Sequence, residues 1–188
     1  DSNPAVLGIP RGGLPVAAEI ADRLDGDLDV VIVRKLRAPQ NPELAIGSIS
    51  EDGETFIDED LADRLGVADD YIEEEKERQM EKIKDRRRRY RAVHDKVDIE
   101  DRVVIITDDG LATGATMRAA VWAARTQNPE RLIVAVPVGA EDSVTEMADH
   151  ADEVVCLRVP PYFGAVGAFY RAFTQVPDEQ VVAILEGR

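Results

Sequence analysis

Apolar positions fall in short continuous runs separated by stretches with helical spacing. Ala5–Ile9 is an apolar run, and Pro10-Arg11-Gly12-Gly13 follows it as a turn. Val16, Ala17, Ile20 and Leu24 then repeat at the intervals of one helix face, which predicts a helix from Leu14 to Leu24. A second apolar run, Val30–Val33, ends at Arg34-Lys35. Strand, helix and strand at this spacing make a βαβ unit with parallel strands and a right-handed crossover. A long connection follows. It holds one plausible short strand, Leu44 to Ile49, that can pair with Thr55–Ile57, and it is punctuated by Pro39, Pro42, Gly47 and Gly53. Asp60 to about Arg91 reads as a long helix, with Gly66 to Asp69 as the place for a break. Beyond it come strand Val103–Thr107, helix 115–126, strand Leu132–Val138, helix Ser143–Ala148 and strand Glu153–Val159. A final short helix is expected around Asp178 to Leu185. This alternation predicts an α/β fold with an open, mostly parallel twisted sheet flanked by helices. Ligands in such sheets bind beyond the carboxyl ends of the strands. Loops 10–13, 34–36, 108–116 and 160–163 each follow an expected strand, so all four are expected on one edge.

The stretch Val103 to Met117 carries the densest chemistry. An uncharged, β-branched strand runs into Asp108 and Asp109, then into the small and hydroxylated loop Ala112-Thr113-Gly114-Ala115-Thr116, then into a helix. A loop that opens a helix points unpaired backbone N–H groups at one spot, and the helix dipole adds to their attraction for a phosphate. Two acids just before that spot can grip a sugar diol or an associated cation. A helix cap is the plainer use of an Asp at a strand end, but it accounts for neither the paired acids nor the two threonines around Gly114. No Gly-Lys-Ser/Thr follows, so this is not a Walker loop. The three-glycine dinucleotide fingerprint is also absent.

The order acid–Asp–x–x–x–Thr–Gly–x–Thr after an apolar strand resembles the ribose-phosphate loop of the type I phosphoribosyltransferases. The overall layout most resembles their broadly defined branch of predicted phosphoribosyltransferases. The resemblance implies that 5-phosphoribosyl-1-pyrophosphate (PRPP) is the donor and Mg the cofactor. Asp108 and Asp109 would hold the ribose hydroxyls and reach the Mg indirectly, with Asp109 counted among the catalytic residues. Ala112, Thr113, Gly114, Ala115 and Thr116 would hold the 5′-phosphate. Arg11, Gly12 and Gly13 match the family's short loop for the pyrophosphate, although a plain tight turn is the alternative. Val33-Arg34-Lys35 resembles the family's basic strand end. Arg34 and Lys35 would then reach the pyrophosphate, with Lys35 also catalytic, unless they only extend to solvent. The 36–57 segment matches the family's flexible loop, which closes over the reacting centre. By this resemblance residues 1–159 form the PRPP-binding core and 160–188 a small C-terminal hood. Aromatic residues gather there, and Tyr162 and Phe163 are the candidates for stacking on a base, unless the rings only pack the hood. The implied reaction moves the phosphoribosyl group to a nitrogen acceptor, a nucleobase in the first instance, and releases pyrophosphate. A non-catalytic module that binds PRPP or a nucleotide is the alternative. The hypoxanthine–guanine enzymes carry an acid two residues before the loop glycine. Here that position is Ala112, and the Leu-Ala-Thr-Gly-x-Thr string is closer to the adenine enzymes. Gly110 stands where an apolar residue is usual, and a slightly looser loop is expected from it.

Composition bounds the remaining choices. The 188 residues suffice for one domain with a core. Thirty-eight acids against 23 Lys and Arg give a net charge of −15, which argues against a nucleic-acid partner. An acid excess of this size is expected of a protein from a high-salt cytosol, where screening tolerates it. The run Arg86-Arg87-Arg88-Arg89 follows Glu73, Glu74, Glu75, Glu77 and Glu81 on one expected helix, and a charged helix face or a subunit contact is its plainer reading. The single Cys156 cannot form an internal disulfide, which fits a reducing, cytoplasmic location. No apolar stretch is long enough to span a bilayer, so no membrane partner is expected. His94 and His150 lack ligand-spaced partners, and no Gly-x-Ser-x-Gly elbow is present. A small-molecule acceptor and, from the family's habit, a homodimer complete the expected partners. The chain starts Asp1-Ser2-Asn3-Pro4 without an initiator Met, so an N-terminal segment ahead of it is expected.

Overall fold

The computed structural model describes residues 3–188. Asp1, Ser2 and the expected N-terminal segment lie outside the described residues. Five strands form the main sheet: β1 (Ala5–Gly8), β2 (Asp27–Val30), β6 (Val103–Thr107), β7 (Arg131–Val138) and β8 (Glu153–Arg158), in the order β2-β1-β6-β7-β8 and all parallel. The strands alternate their side chains between two apolar layers, as the pleat requires. Ala5, Leu7, Val104, Ile106, Leu132 and Val134 face helix α4 (Ala115–Arg125), where Met117, Ala120, Val121 and Ala124 meet them. Val6 and Ile105 face helix α1 (Gly13–Leu24) through Ala17 and Ala21. The expected α/β fold with an open parallel sheet is therefore observed.

The second expected strand is corrected. Val30–Val33 is not one strand: β2 ends at Val30, and a new strand β3 (Val33–Arg37) starts after two residues in a separate antiparallel sheet. The polar letters of Asp27-Leu28-Asp29-Val30 hide β2 from a hydrophobic pattern. Asp29 is nevertheless buried, because Val30 and Val97 donate backbone N–H groups to it at 2.6 and 2.9 Å and Arg91 Nη1 reaches it at 2.7 Å.

The 36–57 segment is also not a loop through its length. β4 (Ala45–Ser50), buried at all six residues, and β5 (Thr55–Ile57) complete the sheet β3-β4-β5. One face of it meets helix α3 (Asp69–Arg91); on the other, Phe56 packs against Trp122 of α4 with ring centroids 4.5 Å apart and planes tilted by 30°. Only the turn at Pro39–Glu43 and the turn at Asp52–Glu54 are exposed as runs. The expected helix break is present: α2 (Glu59–Arg64) stops before Gly66, which sits at φ 63°, and α3 resumes at Asp69.

Helix α5 (Glu141–Met147) precedes β8. The chain then crosses the top of the sheet through a short 3₁₀ turn at Val166–Phe169 and ends in α6 (Asp178–Glu186). Val181 and Leu185 of α6 are buried in one cluster with Leu14, Ile83 and Tyr90. The end of the 160–188 segment thus belongs to the second core layer, and 160–177 is the part that overhangs.

Candidate functional site

β1 and β6 are hydrogen-bonded neighbours in parallel, with Gly8 level with Thr107. Their carboxyl ends therefore bring Pro10–Gly13 and Asp108–Asp109 side by side. Ile9 N–H donates to Thr107 O at 2.9 Å, and Gly13 N–H closes the turn onto Ile9 O at 2.9 Å. The two glycines are needed for this contact. A methyl on Gly12 would collide with the Asp109 carboxylate, and one on Gly13 would stand 2.6 Å from Thr107 O. Gly12 thus has a use beyond an anion nest: it lets an acid lie directly on the turn. The peptide between Pro10 and Arg11 is cis.

Burial raises both acids. The Asp108 carboxyl is pushed up to about 7 by loss of water and then by the neighbouring Asp109 charge, against one 2.8 Å hydrogen bond from Asp109 N–H. Asp109 is also raised by burial, and the Gly110 N–H opposes the shift. Two acids this close, with no cationic side chain bonded to either among the described residues, suit hydroxyl donors or a shared cation. No cluster of three or more His, Cys, Asp or Glu that could cage a metal exists among the described residues. Two carboxylates are too few to cage a metal by themselves, so any Mg at this site would also need oxygens from substrate or solvent.

Beyond the acids, Leu111 bridges to Gly139 of the neighbouring strand end. Ala112 and Thr113 are exposed, and Ser143 Oγ donates to Ala112 O at 2.5 Å from α5. Gly114 takes φ 73° at the start of α4, a left-handed conformation that favours glycine. No side chain caps this end and its first turn holds no acid. The N–H groups of 115 and 116 are left for an anion, so residues 112–116 form the geometry of a phosphate cradle.

An open cleft of about 750 Å³ lies over the strand ends. Pro10, Arg11, Gly12 and Asp109 form its floor, Arg86 comes from α3, and Tyr170, Phe173, Gln175 and Gln180 come from the C-terminal segment. That segment is fastened to the acids. Tyr170 OH donates to Asp109 O at 2.6 Å, and Val166 fills the space where Gly110 has no side chain. Gly110 therefore does not loosen the loop; it admits the overhanging segment. Arg11 lies 3.8 Å from Asp178 at the start of α6.

Several expected residues are elsewhere. Arg34 and Lys35 are not at a strand end on the main sheet edge; they lie inside β3. Arg34 Nε donates to Gln79 at 3.2 Å, and Lys35 Nζ donates to Glu43 O at 3.3 Å. Neither lines the cleft. Tyr162 is 90% exposed, and Phe163 stacks on Phe169 at 5.6 Å. Neither ring lines the cleft: Tyr162 faces solvent and Phe163 is held against Phe169. The rings that line it are Tyr170 and Phe173, with centroids 5.3 Å apart. Sequence reasoning missed Phe173, Arg86 and Asp178. The spacing of Arg86 from Gln79, Ile83 and Tyr90 was the available signal, since it sets Arg86 on the buried stripe of α3.

Comparison with known proteins now bears on this geometry. The model of the phosphoribosyl transferase domain matches residues 1–173. Two Mycobacterium tuberculosis proteins, each named "Putative phosphoribosyl transferase", Rv0571c in strain H37Rv and MT0597 in strain CDC 1551, are 44% identical over 96% of this chain. The chain spans 41% of their length. The crystal structure of the protein TT1426 from Thermus thermophilus superposes with a TM-score of 0.93 at 47% identity, over 98% of this chain and 88% of that one. With the family's model covering most of its length, this chain belongs to the phosphoribosyl transferase domain family.

Proposed function

We propose that the chain transfers the 5-phosphoribosyl group of PRPP to a nitrogen acceptor of a small molecule, a nucleobase in the first instance, and releases pyrophosphate. One observation carries the reading: the half-buried Asp108–Asp109 pair lies against the Gly12-Gly13 turn and runs directly into the 112–116 loop. A ribose diol, a diphosphate and a 5′-phosphate then fit one continuous strip of strand ends. In this reading the acids hold the two ribose hydroxyls, residues 112–116 hold the 5′-phosphate, and Arg11 with the 12–13 turn holds the diphosphate. Asp108 and Asp109 are the residues that would hold Mg indirectly, and Mg would supply positive charge to offset that of the diphosphate.

The acceptor nitrogen attacks ribose C1 as the C1–O bond to pyrophosphate breaks, and the leaving group departs with the electron pair. Cation-like charge develops on the sugar in between. The chain's own contribution is to align the three parts and to keep water from C1. Residues 160–177 act as the hood over the core in this reading, with α6 anchoring its end in the second core layer, and Tyr170 and Phe173 supply its flat apolar surface. Lys35 would join the site only by movement of β3 and the 39–43 turn, which separates its reading from that of the acids. A cytoplasmic location, a homodimer and the absence of a nucleic-acid partner complete the proposal. No helix among the described residues is long and apolar enough to cross a membrane.

The test is pyrophosphate release from Mg-PRPP against a panel of bases, in low and high salt, beside calorimetric titration of PRPP. Release with one base supports the transferase. Binding without release under every acceptor would favour a PRPP-binding regulatory module. Absence of PRPP binding would overturn both.

A further inference from the structure

The four consecutive arginines of α3 do not share one environment. Buried Ile72, Gln79, Ile83 and Tyr90 define the inward stripe of the helix, and Arg86 falls on it, while Arg87, Arg88 and Arg89 are exposed. Arg88 pairs with Asp85 at 2.6 Å and Arg89 approaches Asp178 at 3.7 Å. No carboxylate pairs with Arg86 among the described residues. It lines the same cleft as Arg11, Gly12 and Asp109. Its charge is also felt by its neighbours: burial first, and the Arg86 charge next, draw the Arg34 guanidinium below its ordinary range. In a chain of net charge −15, a half-buried arginine with no carboxylate partner, facing a cleft whose floor holds a second arginine, is placed to meet an anion in the space between them.

We propose that Arg86 is a diphosphate-binding residue: with Arg11 it clamps the pyrophosphate half of the donor from the α3 side of the cleft. The inference rests on the reading of the cleft as a PRPP site. The two arginines have different settings. Arg11 has Asp178 within 3.8 Å as an internal anion that diphosphate must displace, whereas Arg86 has no carboxylate to leave. A guanidinium can bind a diphosphate oxygen pair through two parallel N–H groups, which an ammonium cannot. One member of a charge run that reads as solvent-facing thereby becomes part of the site.

Binding of magnesium pyrophosphate, Mg-PRPP and ribose 5-phosphate to Arg86→Gln, Arg86→Lys and Arg87→Gln tests this by calorimetry, with thermal melting as the check on folding. Arg86→Gln is expected to weaken pyrophosphate and PRPP about tenfold or more, the scale of one lost charge-assisted contact, and to leave ribose 5-phosphate within about twofold. Arg86→Lys keeps the charge and is expected to fall between wild type and Arg86→Gln. Arg87→Gln removes the same charge from the exposed face and is expected to behave as wild type. Equal effects of Arg86→Gln and Arg87→Gln, or equal weakening of all three ligands by Arg86→Gln, would overturn the proposal. Wild-type protein that fails to bind Mg-PRPP would overturn the donor site itself. Wild-type binding that Arg86→Gln leaves unchanged removes only Arg86.

Discussion

Gly12 and Asp109 come from distant parts of the chain, yet the absence of one side chain is what gives the other its place. Gly12→Ala is therefore expected to displace the carboxylate and reduce PRPP affinity about as strongly as Asp109→Asn, while melting stays near wild type for the Asn variant. Wild-type affinity in Asp109→Asn would remove that acid from the ribose site. Asp108 adds a dependence on pH. Its carboxyl is raised from an ordinary 3.8 to about 7 by burial and by Asp109. Between those values the folded state keeps a proton that the unfolded state has released. This group's contribution to stability is thus greatest at low pH and is lost as pH rises through about 7. Ligand-free protein is expected to melt lower at pH 8 than at pH 6 by this term, and Asp108→Asn to flatten the difference. If the ionised pair binds the ribose, PRPP affinity moves the other way, weakening by up to about tenfold per unit below pH 7. Calorimetry in buffers of different ionisation enthalpy reads the proton released.

Strands and helices show how polar residues can hide structure. β2 is invisible to a hydrophobic pattern because its two aspartates look like loop residues, yet Asp29 is buried. Arg91, at the end of α3, bonds both Asp29 and the buried Glu51, which joins α3 to the main sheet and to the end of β4. Arg91→Ala leaves two buried acids without their cation and is expected to cost about 3–5 kcal/mol, read as an early urea midpoint. The hood segment hangs on fewer contacts. Tyr170→Phe removes the hydrogen bond to Asp109 O and is expected to cost only about 1 kcal/mol in stability. Its larger effect should be on acceptor KM, since Tyr170 lines the cleft. An unchanged KM would take Tyr170 off the acceptor side. β4 was legible despite its Gly47 and two serines: the strand expected over Leu44–Ile49 is present and pairs with Thr55–Ile57, and a methyl on Gly47 would collide with Phe56 O, so the small residue marks a close strand pair.

Across the whole molecule, the acid excess sits mostly on solvent-facing positions, while the cleft collects Arg11 and Arg86. Screening by salt relieves repulsion among exposed acids more than it weakens the half-buried cleft. The melting temperature is therefore expected to rise steadily from low KCl to molar KCl. A flat response would remove the high-salt reading of the composition. The α/β alternation, the parallel sheet and the acid pair running into the small-residue loop at 108–116 were legible in the sequence alone. Each is written in consecutive residues: an apolar run, a pair of acids, a glycine before a helix. Periodicity and local backbone chemistry suffice for such features. Tertiary structure alone decided that β2 and β3 belong to different sheets, that Arg34 and Lys35 face α3 and the 39–43 turn, and that Tyr170, Phe173 and Arg86 line the cleft instead of Tyr162 and Phe163. Those outcomes depend on which distant elements pack together, and burial of a charged or aromatic side chain is a property of its neighbours in space rather than of its neighbours along the chain.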